Sequence, residues 1–323
     1  MAVSTTPEQW KSVHNITEQT NTTLSFDLGA EAHQNFFLFH SIKILSLVIA
    51  LVGLMGNSLV LWLLSFHIQR SPFSIYILNL AGSDALFVGS CFVSCIWEID
   101  GYLNSLVLVL WICILNLSYC VSLTLLTAIS TERCLSVLFP IWYRCHRPKY
   151  KSAAVWAMLW ALPSLFWGVF VVLAFLGQFY VFYDILYWVW VGWFVFLTCV
   201  LCLSSLTLVL KVQCSSQHRW PPRLFLLILL TVLGFLLFGL PFAFTNANGL
   251  FLRFPLVPYE FPRLLAYMNS SANPFIYFFL GSQWRGRQRE PLRVVLQRAL
   301  GEEQVERVGP RDTSHPNTLD KLS

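Results

Sequence analysis

The chain alternates long apolar tracts with short polar breaks, and the tracts are longer than the elements of a soluble core. Runs free of Asp, Glu, Lys and Arg extend from Ile44 to Gln69, Gly101 to Thr131, Leu224 to Leu252 and Leu264 to Trp284. Each reaches the roughly 20 residues that carry an α-helix across a bilayer. Two further tracts, Ser71 to Trp97 and Ser152 to Leu210, are each broken by a single acid, Asp84 and Asp184, and the second is long enough for two helices. The pattern predicts an all-α membrane protein, a seven-transmembrane helix bundle over residues 39–281. An extracellular segment over 1–38 precedes it. A short amphipathic interfacial helix over 282–300 follows, with Leu292, Val295, Leu296 and Leu300 set against Arg285, Arg287, Arg289, Arg293 and Arg298, a pattern suited to a membrane surface. Pro291 marks a break or a first turn there. Residues 301–323 read as a disordered cytoplasmic tail.

Composition agrees with the pattern. Hydrophobic residues make up 56% of the chain and charged residues 11%, against about 25% charged in soluble domains. With the N-terminus outside, the outer segments hold Lys11, Lys43, Arg253 and Arg263, which leaves 17 of the 21 basic residues on the inner side. That asymmetry sets the orientation by the positive-inside rule. The net charge of +5 is then accounted for beside an anionic leaflet of membrane lipids and calls for no nucleic acid. Asn15 and Asn21 begin acceptor sequons in the extracellular segment. No cleavable leader pattern precedes the first span, so that span is expected to act as signal anchor in a multi-pass plasma-membrane protein. Most of the nine cysteines fall in or at the ends of spans; small buried thiols are the plain reading, with a Cys95–Cys113 pairing open.

A charge in hydrocarbon costs at least about 2.5 kcal/mol, so an acid inside a span marks function. Asp84 is the clearest, and Asn57, Ser122, Asn269, Ser270 and Asn273 lie at similar depth in other spans. Two readings stand at this point, a hydrated cluster holding a sodium ion or proton, and a hydrogen-bonded packing network. At the inner end of span three, Glu132 adjoins Arg133; a carboxylate that holds a guanidinium in one state and releases it in another is a switch. Pro241 in span six and Pro274 in span seven each remove a backbone hydrogen bond, and Pro274 sits in the run Asn273-Pro274-Phe275-Ile276-Tyr277.

With these motifs in order, the chain resembles a rhodopsin-like G-protein-coupled receptor, and more narrowly the Mas-related receptors of the X or D type. Gly56-Asn57, Leu80 to Asp84, Glu132-Arg133, Trp160, Pro241 and the Asn273–Tyr277 run carry the wider resemblance. The blocks FSIYILNL (73–80), TAISTERCLSVLFPIWYRCHR (127–147), LWAL (159–162), GLPF (239–242), NSSANPFIYF (269–278) and VLQRAL (295–300) carry the narrower one. The resemblance implies coupling to heterotrimeric G proteins, of the Gq class and in some cases Gi, in sensory neurons or mast cells. It also accommodates Gly239 where an aromatic toggle is expected, Leu108 in place of a disulfide cysteine, and a span five without proline. Arg133 with Leu138, Pro140 and Ile141 is implied as the G-protein contact, and Gly239, Pro241, Pro274 and Tyr277 as moving parts. No acid at the inner end of span six is placed to lock Arg133.

Helix packing of that class would line the outer mouth with Trp97, Glu98, Asp100, Tyr119, Asp184, Trp188, Phe242, Asn246, Arg263 and Tyr267. The acids suit a cation and Arg263 a carboxylate, so an extracellular peptide or a small cationic or zwitterionic ligand is expected. Phe170 stands where X-type receptors carry an acid in span four, and Asp184 lies about one turn outside the expected span-five acid, which weakens the cationic reading. An aromatic interfacial belt is the alternative for each of these residues. No enzyme is expected: all seven histidines lie outside the spans or at their ends, which removes a zinc hydrolase, and no cofactor is expected beyond the sodium reading at Asp84. Span seven has no lysine for retinal. A polytopic transporter or scramblase is the competing class.

Overall fold

The computed structural model describes the backbone of residues 7–68, 72–100, 105–139, 141, 151–213, 223–251, 260–282 and 291–300. Its side chains are described from residue 37 onward within those ranges, apart from short stretches at helix ends. The described residues are helical, in the order α1 (Pro7–Phe66), α2 (Pro72–Asp100), α3 (Ser105–Leu138), α4 (Lys151–Phe175), α5 (Phe179–Gln213), α6 (Arg223–Phe251), α7 (Glu260–Ser282) and α8 (Leu292–Ala299). No strand occurs among them. Helix α1 is continuous with much of the polar 1–38 segment, and its apolar, membrane-length part is Phe37–Phe66.

Six helices carry stretches apolar enough to cross a bilayer, from Phe37–Phe66 in α1 to Phe225–Thr245 in α6. Helix α7 has the length of a seventh but a polar face. Asn269, Ser270, Ser271, Asn273 and Tyr277 are buried, while Met268, Phe275 and Phe279 are exposed. Its amphipathicity is inside-out relative to a soluble helix, because hydrocarbon is the outer solvent.

Helix α3 is the axis of the bundle: 61% of its apolar stretch is buried, against 11% for α4 at the periphery. Small residues bring the helices close where hydrocarbon supplies no hydrophobic drive between them. Gly53 of α1 lies against Ser271 of α7, and a Cβ at Gly56 would stand 3.1 Å from Pro274. Hydroxyl contacts join α3 to α5, with Ser130 Oγ 3.0 Å from Ser205 Oγ and accepting from Ser204 at 2.8 Å. Trp160 of α4 donates to Asn79 of α2 at 3.1 Å. The α4–α5 turn is closed by Gly177 at φ 68, where Gln178 N–H reaches back to the Leu173 carbonyl at 3.0 Å. That is a Schellman ending, whose left-handed residue favours glycine.

Helix α6 widens into a π-turn over Phe235–Gly239, directly before Pro241, with the Leu240 N–H bonded to the Phe235 carbonyl. The sequence reading placed the irregularity at Pro241; the structure begins it one turn earlier. A proline cannot donate to the carbonyl four residues back, and a local π adjustment is one way to absorb that loss. Of the interfacial segment expected over 282–300, the described part is 282 and 291–300. Its helical part is Leu292–Ala299, entered from Pro291 at ψ 140, and residues 283–290 lie outside the described ones. It lies against the end of α7: Val295, Leu296, Ala299 and Leu300 are buried, and Arg298 Nη1 donates to the Gly281 carbonyl at 3.4 Å. A Cβ at Gly281 would meet the Val295 carbonyl and stand 2.7 Å from its Cγ1.

Candidate functional site

The polar residues singled out from sequence converge on the centre of the bundle. Asp84 of α2 is fully buried. Its Oδ2 accepts from Asn273 Nδ2 of α7 at 2.7 Å and its Oδ1 from Ser122 Oγ of α3 at 3.1 Å. Ser83, which sequence reasoning did not place in the cluster, adds a 2.9 Å contact with Ser122. Asn57 joins through the backbone, donating to the Gly53 carbonyl at 3.0 Å and the Ser270 carbonyl at 3.1 Å. The buried Asn57 Oδ1 has no hydrogen-bond partner among the described residues. Asn269 instead faces α6, its Oδ1 3.4 Å from where a Gly234 Cβ would stand. Charge-assisted bonds in a low dielectric are strong, so one carboxylate ties α2, α3 and α7 together.

Glu132 and Arg133, at the inner end of α3, are held from α2. Tyr76 OH donates to Glu132 Oε1 at 3.0 Å, and the Arg133 guanidinium lies over the Phe73 ring, 4.4 Å from its centroid. Each thus has a partner on α2, because positions 73 and 76 lie one helical turn apart facing α3. Both partners belong to the FSIYILNL block, whose roles the sequence left unassigned. Leu138 and Ile141 are exposed beside this pair, and Pro140 lies outside the described residues.

Toward the other end, Tyr119, Phe242 and Tyr267 form a closed aromatic cluster around Phe87, with ring centroids 5.9, 5.5 and 5.3 Å from it. All are buried, so they form a floor and not an open wall. Tyr119 OH donates to the Gly239 carbonyl at 3.1 Å, which couples α3 to the π-turn of α6. Absence of a side chain at Gly239 matters here, since a Cβ would stand 2.8 Å from Phe235 Cδ2.

Above this floor, Arg263 pairs with Glu260 at 3.6 Å and lies 5.8 Å from the Trp111 ring centroid. Lys43, Ser46, Ser94 and Tyr267 share its surroundings. Asp184 and Trp188 are one turn apart and exposed on α5, and Trp188 borders a cleft between α4 and α5. Neither is among the residues that line the recess around Arg263. The side chains of Trp97, Glu98, Asp100 and Asn246 lie outside the described residues, as do those of Asn15 and Asn21. Cys113 is a free buried thiol, and Cys95 lies outside the described side chains. No cluster of three or more His, Cys, Asp or Glu residues suited to a metal occurs among the described residues.

A seven-helix bundle with a buried acid bridging three helices and a Glu-Arg pair at the inner end of its central helix defines a rhodopsin-type receptor. Residues 56–277 match the 7 transmembrane receptor (rhodopsin family). The chain is 43% identical over 273 residues to the Mas-related G-protein coupled receptor member X2 of Hoolock hoolock, covering 79% of this chain and 82% of that one. It is 42% identical to the member X2 of Homo sapiens over 274 residues (79% and 82%), and 42% identical to the member X1 of Homo sapiens over 272 residues (80% and 83%). The chain belongs to the Mas-related G-protein coupled receptors. It is therefore a multi-pass plasma-membrane receptor that signals through G proteins in response to an extracellular ligand, and not an enzyme.

Proposed function

We infer that the chain, with its N-terminus outside and Asn15 and Asn21 as glycan acceptors, binds a peptide or a small cationic or zwitterionic ligand. It activates Gq, and in part Gi, in nociception, itch or mast-cell signalling. The observation that carries this reading is the hold of α2 on Glu132 and Arg133. In the resting packing Tyr76 occupies Glu132 and Phe73 occupies the guanidinium. Outward movement of α6 opens the inner end, and Arg133 leaves Phe73 to meet the carbonyl end of a G-protein helix, where a cation is favoured. Leu138, Pro140 and Ile141 supply the apolar surround. Ligand binding shifts the population between these packings.

On the ligand side, Glu98, Asp100 and Asp184 attract a cationic group and Arg263 a carboxylate. The Tyr119–Phe242–Tyr267 floor passes the pressure of a bound ligand to Gly239 and the π-turn. Asp84 is the ion site of this reading. Its carboxylate, the Ser122 hydroxyl and the unpartnered Asn57 Oδ1 are hard oxygen donors that fit a sodium ion, which would neutralise the buried charge.

A ligand screen in cells expressing the chain, read by calcium and cyclic nucleotide, tests the reading. Asp184→Asn and Arg263→Ala are each expected to raise the half-maximal agonist concentration about tenfold, one charge-assisted hydrogen bond's worth, with surface expression unchanged. Unchanged curves for both variants remove this pocket.

A further inference from the structure

Helices α5 and α6 are joined to the inner half of α3 in different ways. Ser130 Oγ of α3 accepts from Ser204 Oγ of α5 at 2.8 Å and lies 3.0 Å from Ser205 Oγ. All three serines are buried. About a turn further out, the Thr127 hydroxyl donates to the Leu123 carbonyl of its own helix at 2.8 Å and reaches the Leu197 carbonyl of α5 at 3.5 Å. On α6 the polar side chain of the Phe225–Gly234 stretch is Thr231. It donates within its own helix, to the Leu227 and Ile228 carbonyls at 3.0 and 2.9 Å. Its neighbours Phe225, Leu227, Ile228 and Val232 are apolar and buried.

The two helices also differ along their length. Helix α5 runs unbroken from Phe179 to Gln213 with no proline. Helix α6 changes to a π-turn over Phe235–Gly239 and carries Pro241 soon after, and such interruptions are where a helix bends. Hydrocarbon gives apolar helix faces no hydrophobic drive to stay together, so packing and interhelical hydrogen bonds decide which contacts hold. A leucine or phenylalanine of α6 that leaves the bundle meets lipid, an equivalent solvent. Both hydrogen bonds of the Ser130 hydroxyl run to α5, and separating the helices takes both away with no water to replace them.

We propose that α5 stays latched to α3 through Ser130, Ser204 and Ser205 while the receptor activates, and that α6 alone swings, bending at its π-turn. The inner end then has a fixed wall, α3 with α5, and one moving wall. The inference rests on the opening of the inner end by α6 described above, and adds that α5 takes no part in it.

The test locks the latch covalently. Oxygens 2.8 and 3.0 Å apart become sulfurs within reach of a disulfide, so Ser130→Cys is combined with Ser204→Cys in one variant and with Ser205→Cys in another. Full-length receptor in nanodiscs is oxidised with copper-phenanthroline, with wild type treated alike, and mass spectrometry reports the linked peptides. Binding of purified Gq heterotrimer, stripped of nucleotide by apyrase, is measured before and after reduction. At least one pair is expected to link, and the linked receptor to bind Gq within about twofold of its reduced form. Weaker binding by the linked form that reduction restores overturns the proposal, because α5 must then leave α3. Failure of both pairs to link overturns it too, since the three side chains then do not stay together. Wild type that binds no Gq strikes the Gq reading instead, an outcome distinct from either of these.

Discussion

Replacing Tyr76 by phenylalanine removes one oxygen and keeps the ring, which makes it a clean test of the resting hold on Glu132. The phenol is 1% exposed and donates to the carboxylate at 3.0 Å. A hydrogen bond to a charged group contributes about 1.5–3 kcal/mol when well buried. Glu132 is only half-buried, so water takes over part of the bond, and about 1–1.5 kcal/mol is the share lost. If the bond exists only in the resting packing, its loss moves the equilibrium toward the active one by about five- to twelvefold. Ligand-free nucleotide exchange on a purified G protein should rise by that factor while the active fraction is small. Glu132→Gln weakens the same bond, so the double variant should add little to either single one. Basal exchange that stays flat in both, or two effects that simply add, would refute the hold from α2.

Two other substitutions probe the rest of the network. Gly239→Ala places a methyl 2.8 Å from Phe235 Cδ2 in a sealed cluster; overpacking of about 1–3 kcal/mol should lower the unfolding midpoint of the purified receptor by roughly 3–8 °C, and an unchanged midpoint would mean that the Phe235 ring yields freely. Asp84→Asn should abolish the response of agonist affinity to sodium: exchanging choline for sodium at constant ionic strength weakens agonist binding to wild type and leaves the variant flat, whereas equal sodium responses would remove the ion from the account.

The elements that charge alone defines were legible. Asp84, Asn57, Ser122 and Asn273 stand out because polar groups in hydrocarbon need partners, and all four lie in the central network. Scarcity of charge also exposed α7, whose mean hydropathy is lowered by the very residues that bind at its inner face. What was not legible depends on helix rotation and spacing. Tyr76 and Phe73 look like ordinary apolar residues until α2 turns them toward α3. Tyr119, Phe242 and Tyr267 meet around Phe87, and the missing side chain at Gly239 leaves room for Phe235 beside Tyr119. The π-turn has no composition of its own.

Arg133 is the group proposed to pass a ligand signal to the G protein. The direct measurement is nucleotide exchange on purified Gq by the receptor in nanodiscs, with and without the agonist from the screen, for wild type and Arg133→Ala. Agonist should accelerate exchange by wild type. The variant should bind the same agonist and leave exchange at the rate of the G protein alone. Undiminished agonist-driven exchange by Arg133→Ala would contradict the account.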